Sequence, residues 1–279
     1  MSRDRLAVRG VTFDFGNTLV RVDRAGLRGV VATTADRLLA RGAIDDREAF
    51  LAAWALERDR QFRLEVPRLR EVDLGERLVH VFARLRGAPV PATDDEAWDE
   101  PRATACSRPG EVDWAVGAYS DAFVAAMPPL PDAEPTLRAA SARGFRLGVL
   151  SNWPHALTID RYVAARDWGR YLSVVVVSQR VGVIKPHPAI FAAAADGLDL
   201  PPASLVHVGD DWAADVVGAR AAGWKAAYLR GHQGDTPLPT SERDPGEMAD
   251  LEIDSLAELL PRLQLPPPRL RRRAARASP

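Results

Sequence analysis

The chain has little of what would place it outside the cell or in a membrane. Its 279 residues include a single cysteine, Cys106, which excludes an internal disulfide and fits a reducing compartment. No apolar run approaches the roughly 18 residues that a membrane span needs, and the first residues lack the apolar core of a signal peptide. The formal net charge is −1, so no overall field attracts nucleic acid or an anionic membrane. These absences predict a cytoplasmic globular protein without a membrane partner.

Hydrophobic patterning predicts strands that alternate with helices. Short runs rich in β-branched residues indicate strands, whereas apolar residues three and four positions apart indicate helices. Strands are expected at residues 6–13, 145–150, 172–177, 205–208, 225–229 and 251–253. Helices are expected at residues 133–143, 153–165, 188–195, 212–222 and 255–260. This alternation predicts an α/β fold with a doubly wound parallel sheet.

A long helical block interrupts the alternation after the first strand. Helices are expected there at residues 30–40, 49–63, 74–85 and 112–127. We therefore predict a core domain of residues 1–20 and 130–264, with a helical cap domain inserted at residues 21–129. Residues 265–279 are rich in proline and arginine, which predicts a disordered basic tail. A weak contact of this tail with nucleic acid or an acidic partner is the alternative.

Four polar segments follow one another along the predicted core. They are Asp14 with Thr18, Ser151-Asn152, Lys185-Pro186, and Gly209-Asp210-Asp211 with Asp215. Each segment alone has a plain explanation: a turn or helix cap for most, a surface position for Lys185 and a solvated first-turn acid for Asp215. Because the carboxyl ends of parallel strands open onto one crevice, their joint occurrence predicts a single site.

This set supplies the groups that phosphoryl transfer needs. A carboxylate such as Asp14 can attack phosphorus and form an aspartyl-phosphate. Mg²⁺ prefers a few oxygen ligands, and Asp14, Asp210 and a backbone carbonyl near Gly16 are the candidates. Asp211 and Asp215 are candidates for outer-shell ligands that hold bound water.

The remaining polar groups suit the phosphate itself. Ser151 offers a hydroxyl and Asn152 an amide to the phosphate oxygens. Lys185 can neutralise the negative charge that the nucleophile and the phosphate bring together. The substrate class that this chemistry predicts is a small phosphorylated molecule.

The chain resembles the haloacid dehalogenase-like hydrolases, in the branch whose helical cap is inserted after the first motif. The resemblance is carried by residues 13–19, 150–152, 182–191 and 208–219. It implies a Rossmann-like core, Asp14 as nucleophile and Asp210 as metal ligand. It also implies that Thr18, Ser151 and Asn152 support the phosphate and the nucleophile, that Lys185 neutralises charge, and that Asp215 is the second acid of its motif.

Gly16 departs from the family pattern. Most phosphatases of the family carry a second aspartate there, which protonates the leaving oxygen and helps to activate water. Three consequences stay open: a leaving group that needs little protonation, an acid supplied by the cap with Asp23 as a candidate, or residual activity in a protein that mainly binds.

Two other function classes therefore accompany the predicted Mg²⁺-dependent phosphatase. One is a metal-independent hydrolase of the dehalogenase type, in which Asp14 attacks carbon. The other is a weakly catalytic protein that binds a phosphometabolite. Trp153 and Trp212 directly follow the polar segments and are candidates for the mouth of the crevice, whereas His207 is expected to be a strand residue without a catalytic role.

Overall fold

The computed structural model describes residues 5–93, 96–231, 235, 236, 238, 240, 241, 243 and 246–267. The predicted basic tail therefore lies outside the described residues from position 268 onward. No helix in these ranges is both long enough and apolar enough to cross a bilayer.

A parallel sheet of six strands forms the centre of the core. The strands of the described residues are β1 (Leu6–Ala7), β2 (Gly10–Phe13), β3 (Arg146–Ser151), β4 (Leu172–Val177), β5 (Leu205–Gly209), β6 (Lys225–Leu229), β7 (Leu251–Ile253) and β8 (Leu263–Gln264). The strand order is β4-β3-β2-β5-β6-β7. Phe13 at the end of β2 pairs with Val149 of β3 and Val208 of β5, so these three strands end side by side. The predicted doubly wound parallel α/β fold is confirmed.

Ten helices accompany the strands within the described residues. They are α1 (Arg24–Ala40), α2 (Arg47–Glu65), α3 (Leu74–Leu85), α4 (Glu100–Ala105), α5 (Glu111–Ala126), α6 (Ala133–Ala142), α7 (Ala156–Ala165), α8 (Ser178–Val181), α9 (Pro188–Leu198) and α10 (Gly218–Ala221). The first three begin after Asp23, Asp46 and Asp73, whose carboxylates accept hydrogen bonds from backbone N–H groups of the first turn. Such caps satisfy donors that the helix itself leaves unpaired, and so fix where each helix begins.

Two predicted elements are wrong in detail. The strand expected at residues 6–13 is broken, because the Arg9 N–H turns to the carbonyl of Ser204 and β1 pairs with β8 in a separate two-stranded sheet. The helix expected at residues 255–260 is replaced by short 3₁₀ turns at Leu256–Glu258 and Leu260–Arg262. Pro261 explains this replacement, because its ring disfavours a helical conformation at the preceding residue and it has no N–H to donate.

Helices α1–α5 form a helical layer between β2 and α6. The two chain segments that connect this layer to the core run side by side. The Arg21 N–H donates to the carbonyl of Pro128 at 3.0 Å, and the Leu130 N–H donates to that of Leu19 at 2.9 Å. The predicted cap boundaries, residues 20/21 and 129/130, fall on this paired crossing.

An aromatic cluster joins the helical layer to the sheet directly behind Asp14. The ring of Phe15 lies 5.1 Å from Tyr162, 5.6 Å from Trp153 and 6.2 Å from Phe123. All four side chains are almost fully buried. Contacts of this kind favour one rigid arrangement, so the backbone beside Asp14 is held by the core.

Candidate active site

Asp14 and Lys185 meet at the carboxyl edge of the sheet. Lys185 Nζ lies 2.7 Å from Asp14 Oδ1 and 2.6 Å from Asp215 Oδ1, and it donates to the carbonyl of Leu150 at 3.0 Å. The lysine is only 3 % exposed. Burial alone would lower the pKa of Lys185, but the two carboxylates outweigh burial and raise it above its ordinary value. The site therefore holds a permanent positive charge against Asp14.

Asp14 is the member of this pair that remains accessible. Its side chain keeps 13 % of its exposure and lines a cavity of about 240 Å³. Burial raises the pKa of Asp14 to about 6, and Lys185 limits the rise. Above that pH the group is an ionised carboxylate that faces open space, as a nucleophile must be.

Asp215 lines the Asp14 cavity and holds Lys185 in place. Its Oδ1 accepts hydrogen bonds from Lys185 and from His207 Nε2 at 2.9 Å, and its Oδ2 accepts the Asp211 N–H at 2.9 Å. Burial would raise the pKa of Asp215, but Lys185 and the His207 hydrogen bond hold it below its usual range. Asp215 therefore stays ionised as the fixed partner of Lys185, and its place as an outer-shell ligand stays a prediction.

His207 has a positioning role that its sequence pattern does not reveal. It is fully buried in β5, with Nδ1 2.8 Å from Thr12 Oγ1 and Nε2 on Asp215. Burial, and then the charge of Lys185, lower the pKa of His207, so the imidazole is neutral. A neutral ring between Thr12 and Asp215 orients the carboxylate without adding charge.

Gly209 is required by the close approach of Asp215. A Cβ at position 209 would lie 2.1 Å from Asp215 Oδ2. Any side chain there would push the carboxylate away from Lys185. The glycine before Asp210 is thus explained by packing at the end of β5.

Asp14 and Asp210 are the pair that fits a divalent cation. Carboxylate oxygens of Asp14, Asp210 and Asp215 all lie within 4.8 Å of one another. Asp215 Oδ1 already accepts hydrogen bonds from Lys185 and His207, whereas Asp14 keeps an accessible carboxylate. Burial and the neighbouring carboxylates raise the pKa of Asp210 well above its ordinary value. A bound cation would offset this crowding of negative charge, so the donor set fits Mg²⁺.

Asp211 caps the turn that follows β5. Its carboxylate accepts hydrogen bonds from the Ala214 N–H at 2.7 Å and the Ser241 N–H at 2.7 Å. The segment Trp212–Val217 begins there as a π-helical turn. Asp211 thus caps this turn while it also lines the Asp14 cavity, and its outer-shell position stays a prediction.

The residues expected to support phosphate differ in whether their side chains already make hydrogen bonds. Ser151 Oγ is buried without a hydrogen-bond partner among the described residues, whereas Thr18 Oγ1 lies 3.4 Å from Asp210 Oδ1. Asn152 is engaged with the backbone of Lys185: its Oδ1 accepts the Lys185 N–H at 2.7 Å and its Nδ2 donates to the Lys185 carbonyl at 3.1 Å. Ser151 thus has hydrogen-bonding capacity to spare, and Asn152 fixes the lysine loop.

An apolar wall stands where residue 16 would carry a side chain. A Cβ on Gly16 would lie 2.8 Å from Leu238 Cδ1 and 3.7 Å from both Trp153 and Val22. The backbone there continues in a tight turn in which the Asn17 side chain accepts the Val22 N–H at 3.1 Å. The site has no carboxyl at this point, and Leu238 fills part of the space.

Glu71, in the connection between α2 and α3, is the carboxyl of the helical layer that lines the Asp14 cavity. Its two oxygens contact the Val72 N–H and the Ser178 hydroxyl of the core. Asp23, the cap acid suggested by the sequence, instead caps α1 through the Gly26 N–H at 2.7 Å and does not line that cavity. Sequence patterning gives no sign of Glu71, because the residue lies between helices and reaches the site only through the fold.

Neither of the two tryptophans lines the Asp14 cavity. Trp153 lines a second cavity beside the Asp14 cavity, whereas Trp212 is 1 % exposed and packs edge-on against Tyr228. Trp212 is therefore a core residue.

Comparison with known proteins agrees with this geometry. A family model of haloacid dehalogenase-like hydrolases matches residues 8–223. The chain therefore belongs to the haloacid dehalogenase-like hydrolases.

Individual relatives include phosphatases and a dehalogenase. The chain is 33 % identical over 154 residues to glyceraldehyde 3-phosphate phosphatase of Methanopyrus kandleri, covering 52 % of this chain and 61 % of the relative. It is 33 % identical over 132 residues to phosphoserine phosphatase of Thermus thermophilus, covering 47 % and 50 %. These matches span between half and two thirds of the relatives' own length. A crystal structure of 2-haloacid dehalogenase from Pseudomonas syringae pv. Tomato superposes with a TM-score of 0.61 at 24 % identity, covering 90 % of this chain and 96 % of that one, which shows the shared fold.

Proposed function

We propose that this protein is a Mg²⁺-dependent phosphatase that hydrolyses a small phosphate monoester through an aspartyl-phosphate on Asp14. The observation that carries the proposal is the accessible Asp14 carboxylate held against a buried, charged Lys185. The phosphatase relatives support the reaction class. Asp14, Asp210 and the Gly16 carbonyl would hold Mg²⁺, which when bound withdraws charge from the transferring phosphoryl group.

The chain's own residues account for the first half-reaction. The Asp14 carboxylate forms a bond to phosphorus while the bond from phosphorus to the leaving oxygen breaks. Lys185 stabilises the negative charge that gathers between nucleophile and phosphate, and Asp215 keeps that lysine in place. The unpartnered Ser151 hydroxyl donates to a phosphate oxygen.

The second half-reaction is attack of water on the phosphorus of the aspartyl-phosphate, which releases inorganic phosphate and restores Asp14. Residue 16 supplies no acid for the first step and no base for the second. The proposed enzyme therefore uses substrates whose oxygen departs with little protonation, and it loses its phosphoryl group slowly. The helical layer, acting as a cap of residues 21–129, shields both steps from bulk water.

A panel of phosphate monoesters tests this function on the purified protein, with Mg²⁺ or with a chelator. We expect turnover that requires the metal and falls at least about 10³-fold in Asp14→Asn, as removal of a nucleophile does. Asp23→Asn is the matched control, because this aspartate lies outside the Asp14 cavity. Full activity of Asp14→Asn would contradict the proposal, and halide release from a haloacid without added metal would favour a dehalogenase instead.

A further inference from the structure

A second and larger cavity lies inside the helical layer, directly beside the Asp14 cavity. Its volume is about 500 Å³, a size typical of small-molecule sites. Phe62, Pro154 and Leu238 line both cavities, so they form the boundary between them. Trp54 and Tyr119 stack in its wall with ring centres 5.6 Å apart. The cavity is therefore built for an apolar, flat group that adjoins the phosphate.

One buried cation interrupts this apolar lining. Arg77 of α3 is 4 % exposed and lines the cavity, with its guanidinium 5.2 Å from the ring centre of Trp54. Nε donates to Gln61 Oε1 at 2.9 Å, but Nη2 is buried without a hydrogen-bond partner in the described part of the chain. Burial lowers the pKa of Arg77 to about 10, which still leaves it charged at neutral pH. Glu71 and Asp73 lie near enough to favour the charged form of Arg77, but neither carboxylate hydrogen-bonds to its guanidinium among the described residues. A buried charge without a directly bound anion is costly.

Other arginines on the cavity wall differ from Arg77. Arg24, Arg28 and Arg58 are exposed at the rim, and Arg58 already donates to Asp59 at 2.7 Å. Only Arg77 among these four presents its charge inside the apolar enclosure. Because Gln61 holds Nε, the guanidinium is oriented before any ligand binds.

We propose that this cavity binds the leaving group of the substrate, and that Arg77 pairs with a carboxylate on that group. The substrate class is then a phosphate ester of an aromatic hydroxy acid. This inference rests on the proposed phosphatase function and specifies what the enzyme acts on. A carboxylate carries the single charge that one guanidinium matches, whereas a second phosphate would bring excess negative charge into an apolar cavity.

The missing acid at position 16 agrees with an aromatic leaving group. A phenol has a pKa of about 10, as in tyrosine, so a phenolate departs far more readily than an alkoxide. In the reaction the Asp14 oxygen bonds to phosphorus, the bond from phosphorus to the phenolic oxygen breaks, and the phenolate leaves with the electron pair. Water then protonates the phenolate, and a second water attacks phosphorus to release inorganic phosphate. The hydroxy acid is left on Arg77.

Matched aryl phosphates test the inference directly. We compare kcat/KM for para-(carboxymethyl)phenyl phosphate and for its uncharged carboxamide analogue. Wild type should prefer the acid by roughly 10- to 100-fold, the range for a hydrogen-bonded charge pair. Arg77→Met should abolish that preference and Arg77→Lys should restore part of it.

Arg60→Met is the matched control. Arg60 of α2 is also a buried arginine with an unpartnered Nη2, but it donates to the carbonyl of Thr93 and does not line the cavity. We expect this variant to keep the preference for the acid even if it is less stable. Loss of the preference in Arg60→Met as well would overturn the specific role of Arg77.

Binding of the product provides a readout independent of turnover. Calorimetry of para-hydroxyphenylacetate should show weaker binding to Arg77→Met than to wild type or Arg60→Met. Three results would each overturn the assignment of a carboxylate to Arg77. They are equal binding to all three proteins, no preference for the acid in wild type, and faster hydrolysis of a bisphosphate analogue than of the acid. The proposed phosphatase function would still hold after such a result if the carboxamide is hydrolysed with Mg²⁺ and Asp14→Asn abolishes this hydrolysis. Turnover that persists in Asp14→Asn would instead remove the proposed function itself.

Discussion

At the scale of single residues, the site lacks the second aspartate that would act as acid and base, because residue 16 is a glycine. The space beside the Gly16 Cα is filled by the tip of Leu238, and Trp153 and Val22 complete an apolar wall. The side chain of an aspartate there would start against this wall. Leu238 Cδ1 is the end of a flexible side chain, so it can move aside at small cost.

Gly16→Asp should therefore convert the substrate preference rather than destroy the site. We expect its kcat/KM on an alkyl phosphate, which reports formation of the aspartyl-phosphate, to rise by up to about 10²-fold, the lower range for general acid catalysis. The kcat/KM on an aryl phosphate should change much less, because a phenolate needs little protonation. Steady-state kinetics of Gly16→Asp, alone and with Leu238→Ala to make room, measures both values. An equal change in rate on the two substrates would contradict the view that the missing acid at residue 16 is what slows hydrolysis of alkyl phosphates.

The sequence predicts some residues of the two cavities but not others, depending on whether a strand pattern or long-range packing determines their position. Asp14, Lys185 and Asp210 come together because they follow parallel strands or their adjoining loops, and this geometry is implied by the strand pattern. Arg77 and Leu238 give no such signal. The sequence pattern predicts an ordinary polar position of a helix for Arg77, and its burial depends on where α2 packs against α3. The approach of Leu238 to Gly16 depends on a long-range fold of the chain that no local pattern specifies.

At the scale of elements, the connection between α2 and α3 fastens the helical layer to the core. The Ile184 N–H donates to the carbonyl of Leu69 at 3.0 Å, and the Leu74 N–H donates to that of Pro154 at 3.0 Å. The Glu71 carboxyl contacts the Ser178 hydroxyl between these two points. The helical layer is thus joined to the loop that carries Lys185.

Glu71 should make this contact dependent on pH. Burial raises the pKa of Glu71 to about 7 from an ordinary value of 4.5, with Arg77 and Asp73 as the facing charges. The folded protein therefore holds this proton more tightly than the unfolded chain. The contribution to stability is full below about pH 4.5 and is lost as pH rises to about 7.

Glu71→Gln removes that dependence, so its thermal midpoint relative to wild type should rise between pH 5 and pH 8. Differential scanning calorimetry at the two pH values measures the change. Glu48→Gln, at an exposed position of α2, controls for the loss of one negative charge. A constant difference between Glu71→Gln and wild type across this range would show that the carboxyl is not protonated in the folded state.

Elements are predicted from sequence more reliably than their ends and contacts. The four long helices of the layer are expected from periodicity, and Asp23, Asp46 and Asp73 set the start of three of them. The π-helical turn at Trp212–Val217 is not expected, because it forms where Asp211 and Asp215 bind local backbone groups instead of continuing an α-helix.

At the scale of the whole molecule, the sheet supplies the reacting groups and the helical layer supplies the enclosure. The Asp14 cavity lies at the junction of the two, and the Arg77 cavity extends from it into the helical layer. Chemistry and selection of the substrate are therefore assigned to different parts of the chain. The proposed chemistry agrees with the family membership. The proposed selection of the substrate depends on the particular side chains of α1, α2, α3 and α5.

In the proposed reaction Asp14 carries a phosphoryl group during turnover, and loss of that group is slow because residue 16 supplies no base. Rapid-quench kinetics with an aryl phosphate and Mg²⁺ tests both parts together. We expect a burst of phenol equal to the enzyme concentration, followed by slower turnover, and a phosphorylated peptide that contains Asp14 in the quenched sample. Linear release of phenol with no phosphorylated Asp14 peptide, together with unchanged turnover in Asp14→Asn, would contradict the claim.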